Sequence, residues 1–464
     1  MKAEIDVQIE TTVSSNGLKN IPVKNFKEIV YRRIGGQMVI VNLKEDTNHT
    51  LNTTAASIWD WIDGKSTVED IAQKLSAQFG VDQKRATIDC LEFIKEMASK
   101  NLVVFPFRFV VAESDRDTAR PAPGGLLERA VKKKIPLMAH LDLTYRCNLN
   151  CIHCYVIRPN KEKAELTTSE IKDAIEQLVD AGTIYLILSG GEVLTRKDFF
   201  DIASYARKRN FAVRILTNGT LMTKEDAEEI ASLNPLSVGV SIYSANPEVH
   251  DAITSRAGSF QKSLAAVTML RAEGVRVRIT TMVMKKNVND YQSVRKLAQS
   301  LGANFQVGYR IAPKLNNGRY VYPPDLLINK EELQGVLTYM AERNVKEFHQ
   351  YAFHVIPCGA GYTNCYISPY GDIYPCVLLP IFCGSLREKA FIDIWRRSYW
   401  IRKVRSASIP KLSCSRCDFF RYCEPCLAFS YFDNGDIFTP SEKICMEGKI
   451  RKNLHEGKGE KGGE

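Results

Sequence analysis

The sequence has no uninterrupted apolar run long enough to span a membrane. Its N-terminus, MKAEIDVQIE, is polar and acidic and lacks the hydrophobic core of a signal peptide. These absences predict a cytoplasmic protein with no membrane partner. The composition, 45% hydrophobic and 25% charged, is that of a globular protein. A length of 464 residues predicts roughly two to four domains.

A basic stripe interleaved with aromatic residues is also missing, although the formal net charge is +10. Lysine and arginine are dispersed, with short runs such as Lys132–Lys134. We therefore expect no nucleic-acid partner, because a charge excess of this size often serves only to keep a surface soluble. The same charge would suit an acidic peptide or a phosphate-bearing substrate.

Cysteine is absent from the first 89 residues, yet the chain contains thirteen cysteines. Three lie between residues 147 and 154, and nine lie between residues 358 and 445. Secreted disulfide proteins are usually small and distribute their cysteines throughout the chain. Clustering in a long chain instead favours metal or iron–sulfur ligation.

Residues 20–110 are predicted to form a small winged-helix-like domain. Two strand-like runs come first, three amphipathic helices follow, and a last strand-like run ends the segment. Ser66 and Glu69 have the spacing of a capping box at the start of the second helix. Residues 111–135, which are rich in proline, glycine and charge, are predicted to be a linker.

Residues 136–346 alternate strand-like and helix-like segments, which indicates parallel strands with helices outside them. The expected fold class is α/β, with a partial (β/α)6 TIM-like barrel whose chemistry lies at the C-terminal strand ends. Residues 347–447 have weak periodicity and many cysteines, so bound clusters would have to supply their order. Residues 448–464 are predicted to be a disordered tail. The six strand-like runs lie at 137–145, 183–188, 211–217, 236–244, 276–284 and 304–310.

The first cysteine group follows the first barrel strand with the spacing C-x3-C-x2-C, formed by Cys147, Cys151 and Cys154. Three neighbouring thiolates can bind one cubic iron–sulfur cluster and leave its fourth iron open, as a reactive cluster requires. The other interpretation is a zinc knuckle completed by a residue such as His153.

This spacing, followed one βα unit later by Gly190, Gly191 and Glu192, resembles the signature of the radical S-adenosylmethionine (SAM) family. The resemblance implies a [4Fe-4S] cluster that binds SAM at its open iron and cleaves it reductively to a 5′-deoxyadenosyl radical. It also implies a set of SAM contacts, but no catalytic acid or base is identifiable. The implied contacts are His153 near the adenine, Gly190, Gly191 and Glu192 at the amino-acid group, and Asn218, Ser241 and Arg256 at strand ends and loops.

The second cysteine group resembles the SPASM extension of radical SAM enzymes, which holds two auxiliary [4Fe-4S] clusters. The chain departs from that pattern, since two residues rather than three separate Cys423 from Cys426. If Cys365 is not a ligand, the first auxiliary cluster has an open iron. Two zinc ribbons are the other interpretation. The resemblance assigns Cys358, Cys365, Cys376 and Cys426 to the first cluster, Cys414, Cys417, Cys423 and Cys445 to the second, and leaves Cys383 as a spare buried thiol.

The N-terminal segment resembles the PqqD-like domain, the recognition element of ribosomal-peptide maturases. The similarity depends on Leu51–Ala56, Ile58-Trp59, Asp63-Gly64 and Thr67–Ile71. It implies that an exposed strand edge binds the leader of a precursor peptide through main-chain hydrogen bonds. A DNA-binding or stabilising winged helix is the alternative, although no basic recognition helix is present.

Together these resemblances predict an enzyme with SAM and three [4Fe-4S] clusters that modifies a ribosomally synthesised precursor peptide. The change could be a thioether or C–C crosslink, an epimerisation or an oxidation, and an electron donor such as flavodoxin or ferredoxin is expected. One alternative is a radical SAM enzyme acting on a tetrapyrrole, another small molecule or a protein. The other is a zinc-binding scaffold without catalysis.

Overall fold

The structure, a computed structural model, describes residues 18–34, 36–105, 126–155, 163–341 and 356–456. The chain divides into two compact units, Met1–Pro123 and Gly124–Glu464. In the parts that are described, no helix is both long enough and apolar enough to cross a bilayer.

The described residues of the first unit form a small antiparallel sheet and three helices. Strands β2, β3 and β4 are hydrogen-bonded in that order, and β1 pairs with β5. The sequence had predicted β2 and β3 but not β4. Its elements are β1 (Val23–Lys24), β2 (Ile29–Ile34), β3 (Gln37–Asn42), β4 (Thr47–Leu51), α1 (Thr53–Trp61), α2 (Val68–Phe79), α3 (Gln83–Ser99) and β5 (Val103–Val104).

The core of this unit is formed by helix residues at three- and four-residue spacing, such as Ile71 and Leu75, packed around Trp59. The predicted capping box is wrong by one residue, because α2 is capped by Thr67 with Asp70. Ser66 does not cap α2; its hydroxyl donates to Asp63 at 3.1 Å and accepts from Lys74 Nζ at 3.0 Å. The predicted strand beyond Phe105 and the linker up to residue 125 lie outside the described residues.

The second unit is built on one large sheet. Its helices are α4 (Leu126–Lys133), α5 (Thr168–Asp180), α6 (Phe199–Lys208), α7 (Lys224–Leu233), α8 (Pro247–Thr254), α9 (Ser259–Ala272), α10 (Tyr291–Ser300), α11 (Lys330–Ala341), α12 (Phe391–Arg397), α13 (Tyr399–Ser406), α14 (Leu427–Asn434) and α15 (Glu442–Glu456). Its strands are β6 (Met138–Thr144), β7 (Tyr185–Gly190), β8 (Ala212–Thr217), β9 (Ser237–Ser241), β10 (Val277–Met282), β11 (Asn304–Gly308), β12 (Lys314–Asn316), β13 (Arg319–Val321), β14 (Asn364–Ile367), β15 (Asp372–Tyr374) and β16 (Gly384–Ser385).

Strands β6 to β11 are the six predicted barrel strands, and they lie side by side in chain order and parallel. Strand β14, from the cysteine-rich segment, continues the sheet as a further parallel strand beside β6, with Tyr366 opposite His140. Strands β15 and β16 then extend it in antiparallel fashion. The sequence had not predicted this extension.

The two faces of the large sheet differ in polarity because side chains alternate along each strand. One face is packed against the helices by apolar residues such as Leu141, Leu186 and Ile279. The opposite, inner face is more polar and carries residues such as Asp142 and Ser241. This pattern directs polar groups into the barrel and brings the carboxyl ends of β6 to β9 to one rim.

The predicted disordered tail differs from the structure over residues 448–456, which belong to α15. Ile450 and Leu454 pack against Leu333 and Leu337 of α11. The apolar contacts stabilise a segment whose sequence is mostly charged. Residues 457–464 lie outside the described residues.

Candidate metal centres and active site

Cys147, Cys151 and Cys154 lie on the loop that follows β6, at the carboxyl end of the sheet. Cys147 and Cys154 are exposed, and Cys151 is partly buried. Burial, with the charges of the other two thiols, raises the pKa of Cys151 to about 12. The structure therefore brings the three predicted thiols together, and binding a metal cluster would require them to lose their protons.

Backbone hydrogen bonds hold this cysteine loop against the end of α8. The N–H of Asn150 donates to the carbonyl of Thr254 at 3.1 Å, and that of Ile152 donates to the carbonyl of Ile253 at 3.0 Å. Arg256, an exposed residue, follows two positions after this contact. The loop is consequently fixed on one side before any ligand binds.

Gly190 and Gly191 fix the other side of the loop. The N–H of Gly191 donates to the carbonyl of Thr144 at 2.7 Å, and that of Glu192 donates to the carbonyl of Arg146 at 2.9 Å. A Cβ atom on Gly190 would lie 2.2 Å from the Thr144 oxygen, and one on Gly191 would lie 2.3 Å from the Arg146 oxygen. The glycines thus allow close packing against the backbone that enters the cysteine loop, and their approach to SAM stays a prediction.

We expect Gly191→Ala to destabilise the protein by about 3 kcal/mol, because the new methyl group meets rigid backbone. The matched control is Gly335→Ala in α11, where a Cβ atom meets nothing within 4 Å. That change should stabilise by about 0.5–1 kcal/mol. Thermal and denaturant unfolding of both variants would measure the difference, and equal stability would contradict the packing role of Gly191.

Glu192 is buried, with a relative exposure of 1%, and burial raises its pKa. Three donors of the chain offset that effect. The Thr217 hydroxyl donates to Oε1 at 2.7 Å, the Asn218 N–H donates to Oε2 at 2.6 Å, and the Leu194 N–H donates to Oε1 at 3.2 Å. Glu192 therefore joins the end of β7 to the end of β8, and its contact with the SAM ammonium stays a prediction.

His153 lies edge-on to Tyr243, with ring centroids 4.6 Å apart. Burial lowers the pKa of His153 to about 4, so its ring is neutral. Its Nδ1 atom is buried without a hydrogen-bond partner in the described structure. A buried polar atom of this kind is suited to a ligand, which fits the predicted position near the adenine of SAM.

Tyr243 was not predicted as a site residue. It also stacks on His250, whose Nδ1 accepts the Tyr243 N–H at 3.2 Å. The charge of Cys151 adds to the raised pKa of Tyr243, so Tyr243 lies beside the cysteine loop. An aromatic residue just beyond the end of β9 was the available signal in the sequence.

The remaining predicted SAM contacts lie around the same rim. Asn218 Nδ2 donates to Asn148 Oδ1 at 3.0 Å and lies 3.8 Å from Cys147 Sγ. Ser241 ends β9 and hydrogen-bonds Tyr243. The structure brings Asn218 against the cysteine loop, whereas the contacts of Ser241 and Arg256 with SAM stay predictions.

A network of side-chain hydrogen bonds on the inner face of the sheet was also not predicted from the sequence. Asp142, which is fully buried, lies 3.1 Å from His140 Nε2 and accepts the Tyr366 hydroxyl at 2.8 Å. The hydroxyls of Tyr366 and Tyr145 are 2.7 Å apart. This network joins β14 to β6 and reaches the start of the cysteine loop, and it could not be found without knowing that β14 lies beside β6.

Cys358, Cys376 and Cys426 form a second group, packed against one small apolar cluster. Burial raises the pKa of Cys358 to about 11 and that of Cys376 to about 12, and the neighbouring thiols add to both shifts. These three predicted ligands are therefore brought together.

Cys365 differs from the prediction, because the structure does not place it with these three thiols. It lies on β14, is 2% exposed and packs in the core between sheet and helices. Its Sγ lies 3.9 Å from the carbonyl oxygen of Met138. Burial alone raises the pKa of its thiol, with no contribution from another cysteine. Cys383 is buried as well, as expected for a spare thiol.

Cys414, Cys417, Cys423 and Cys445 form the third group. Burial, with the charges of Cys414 and Cys445, raises the pKa of Cys423 to about 12. Cys417 is exposed, and its charge contributes to the raised pKa of Cys445. The loop carrying the first three cysteines packs on α15, where a Cβ atom on Gly448 would lie 3.4 Å from the Cβ of Cys423.

The donor atoms of all three groups suit iron–sulfur clusters. Within the described ranges, no three His, Cys, Asp or Glu side chains converge closely enough to hold a single metal ion. A four-iron cluster is wider than one ion, so the thiolates that bind it stand farther apart. Groups made only of cysteine are also the usual ligands of such clusters.

Family models match the chain in three places. The Radical SAM superfamily model matches residues 141–300, the model of coenzyme PQQ synthesis protein D (PqqD) matches residues 37–103, and the SPASM iron–sulfur cluster-binding domain matches residues 358–418. The first match covers the cysteine loop and the Gly-Gly-Glu turn. The third begins at Cys358.

Curated relatives agree with these matches. The AdoMet-dependent heme synthase of Methanosarcina barkeri is 32% identical over 67% of this chain and 96% of its own length. The subtilosin biosynthesis protein AlbA of Bacillus subtilis is 28% identical over 81% of this chain and 84% of its own length. The mycofactocin maturase MftC of Mycolicibacterium smegmatis is 28% identical over 68% of this chain and 83% of its own length.

Among solved structures, Streptococcus suis SuiB bound to its precursor peptide SuiA has a similar fold. It aligns with 91% of this chain and 99% of its own chain, with a TM-score of 0.61 and 13% sequence identity. Three findings indicate the same family. They are the order of the matched domains, the cysteine loop at the end of β6 and the extent of the heme synthase match. The chain therefore belongs to the radical SAM superfamily, as an enzyme with an N-terminal PqqD domain and a C-terminal SPASM domain.

Proposed function

We propose that this enzyme modifies a ribosomally made precursor peptide, using SAM and three [4Fe-4S] clusters. When bound, SAM and its cluster supply the radical that abstracts a hydrogen atom from the substrate. The chain itself fixes the cysteine loop between Gly191 and α8 and presents a neutral His153 to the ligand. An electron carrier such as flavodoxin or ferredoxin supplies the reducing electron. The modification is a crosslink, an epimerisation or an oxidation.

The observation that carries this proposal is the exposed edge of β4 in the PqqD unit. Three of its five residues are exposed, and in the described structure its only hydrogen-bonded neighbour is β3. The C-terminal end of α3 lies near this edge. Burial lowers the pKa of His49 on β4, and the charge of Lys100, which follows α3, lowers it further. An open edge next to a helix can accept an extended peptide as a further strand.

The relatives favour a peptide over a tetrapyrrole. The heme synthase is covered almost completely by 67% of this chain, which leaves about a third of the chain without a counterpart in it. The AlbA match spans 81% of this chain, more than residues 124–464 contain, so it extends into the first unit. At least part of the unit that would bind a leader is thus matched by a bacteriocin biosynthesis protein.

The cysteine geometry supports a finer assignment of the auxiliary clusters. Cys414, Cys417, Cys423 and Cys445 would complete one cluster with four thiolates. Cys358, Cys376 and Cys426 would hold the other with three, since Cys365 packs between the sheet and the helices. The first auxiliary cluster would then have an iron open to another ligand.

The test of the proposed function is an anaerobic reaction of the reconstituted enzyme with SAM, reductant and the short peptide encoded beside its gene. Mass spectrometry should find a modified peptide. The same peptide without its leader should react at least about tenfold more slowly, because it lacks the strand that binds the β4 edge. A tetrapyrrole substrate is the comparison. Conversion of the tetrapyrrole, with the peptide unchanged, would overturn the proposal.

The β4 edge can be tested with two proline variants, Asn48→Pro and His49→Pro. Neighbouring residues of an antiparallel strand direct their N–H groups to opposite sides. One variant should therefore break a bond to β3 and lower Tm. The other should retain Tm, as proline does at sheet edges, but weaken binding of a fluorescent leader by about tenfold. Unchanged affinity in both variants would contradict leader binding at this edge.

A further inference from the structure

A basic cavity of about 530 Å³ opens on the second unit, between the end of α4 and helices α12 and α13. The charged side chains that line it are five cations, and no carboxylate is among the described lining residues. The cations are Lys133, Lys134, Arg396, Arg402 and Arg405. A cavity of one sign concentrates the field and favours an anionic partner.

Arg405 is held rigidly at the base of this cavity. Its Nε donates to the carbonyl of Gly361 at 2.7 Å and its Nη1 donates to the carbonyl of Trp395 at 2.8 Å. Its guanidinium also lies 4.6 Å from the Trp395 ring centroid. Nη2 is buried without a hydrogen-bond partner in the described structure. Burial lowers the pKa of Arg405 to about 10, which leaves it charged at neutral pH.

The base of the cavity leads directly to the group formed by Cys358, Cys376 and Cys426. Gly361, which binds Arg405, donates its N–H to the carbonyl of Pro375 at 3.1 Å, and Pro375 precedes Cys376. Tyr362 lines the cavity. Burial raises the pKa of Tyr362, and the charge of Cys358 adds to that rise. Few bonds therefore separate the basic surface from two of the thiols.

Exposed aromatic side chains extend the surface along α13. Tyr399 is 62% exposed and Trp400 is 39% exposed. Lys403 Nζ lies 4.9 Å from the Trp400 ring centroid. Aromatic and arginine side chains together are enriched where proteins bind other proteins.

We infer that this basic surface docks an acidic electron-transfer protein, which exchanges one electron with the cluster held by Cys358, Cys376 and Cys426. The carrier loses the electron that the cluster gains, or the reverse, and no bond or proton is transferred. The inference depends on one part of the proposed function, the presence of this auxiliary cluster. It does not depend on the peptide substrate. Interfaces of this kind are small and weak, and charge complementarity sets their rate of association.

A competing surface surrounds the exposed Cys417 of the third cysteine group. It is lined by Arg416, Arg421 and Lys452, but also by Asp418 and Glu456. Because carboxylates offset the positive charges there, it attracts an acidic partner less strongly than the cavity beside Arg405. The two surfaces can be distinguished by substitution.

The experiment measures binding of oxidised flavodoxin to the reconstituted holoenzyme at low and high salt. Arg396→Glu with Arg402→Glu should weaken binding at low salt by at least about tenfold and reduce its salt dependence. The matched control, Lys208→Glu with Lys262→Glu, makes the same charge change on exposed helix positions and should alter Kd by less than about twofold. Equal loss in both pairs, or none in the first, would overturn the inference.

Two further readouts locate the contact and the electron. Carbodiimide crosslinking should join Lys134 to the carrier, as identified by mass spectrometry. Reduction of the enzyme by flavodoxin hydroquinone should slow in the Arg396/Arg402 variant, whereas reduction by dithionite should not. Loss of binding on Arg416→Glu with Arg421→Glu alone would instead assign docking to the surface around Cys417. If the peptide stays unmodified but these binding and reduction results are obtained, the proposed substrate is wrong and the docking surface is still supported.

Discussion

Replacing Cys151 with alanine is expected to abolish the formation of 5′-deoxyadenosine from SAM. Cys151 is the most enclosed of the three thiols on the cysteine loop, and its backbone neighbours are fixed by α8. Two remaining thiols cannot hold a cluster that keeps one iron open for SAM. The rate of 5′-deoxyadenosine formation should fall by more than about a hundredfold, which is the largest loss usual for a residue that only orients a metal ligand. Anaerobic assay with dithionite would measure it.

Cys383→Ala is the control for this variant. Its thiol is buried, its Sγ lies 3.2 Å from the carbonyl oxygen of Ile381, and no other cysteine contributes to its raised pKa. Cleavage of SAM should therefore stay within about twofold of wild type, because no cluster ligand is lost. If Cys151→Ala still formed 5′-deoxyadenosine, the SAM-binding cluster would have to lie elsewhere.

A comparison of Cys358→Ala with Cys365→Ala should give the second large effect. The wild-type chain is expected to bind about twelve irons as three [4Fe-4S] clusters, and loss of Cys358 should lower this to about eight. Cys365→Ala should retain about twelve, because its thiol packs between the sheet and the helices. Removing that buried sulfur should instead destabilise the protein by about 1 kcal/mol.

Iron and sulfide analysis of the reconstituted variants, with electron paramagnetic resonance of the reduced clusters, would measure this difference. Unfolding by denaturant gives the stability of each variant. An iron content near eight for Cys365→Ala would show that this thiol is a ligand after all. Stoichiometric zinc in the wild-type protein, without iron, would contradict the cluster assignment for every group.

The parts of the molecule that depend on local sequence were predictable. The six barrel strands are apolar runs between amphipathic helices, so their order and direction followed from periodicity. Cys147 and Gly191 are separated by one βα unit, and parallel strands bring such positions to the same rim. The pattern of neighbouring residues was therefore enough to place the cysteine loop.

The parts that were missed depend on contacts between distant residues. The SPASM resemblance assigned Cys365 to the first auxiliary cluster, whereas pairing of β14 with β6 turns its side chain towards the helices, so that its ligand role stays a prediction. The polar sequence after Gly448 predicted disorder, yet Ile450 packs on α11 and Arg451 binds Glu424 at 2.9 Å. Neither pairing leaves a signal in the local pattern.

The position of β14 has a consequence for synthesis and for truncation. Strand β6 is made early, but its second neighbour is made more than two hundred residues later. Until then one side of β6 has unpaired backbone N–H and C=O groups, and such strands pair with other chains. Contacts so distant along the chain also close slowly. We expect chains truncated after α11 to aggregate, so the catalytic barrel should not be separable from the cysteine-rich segment.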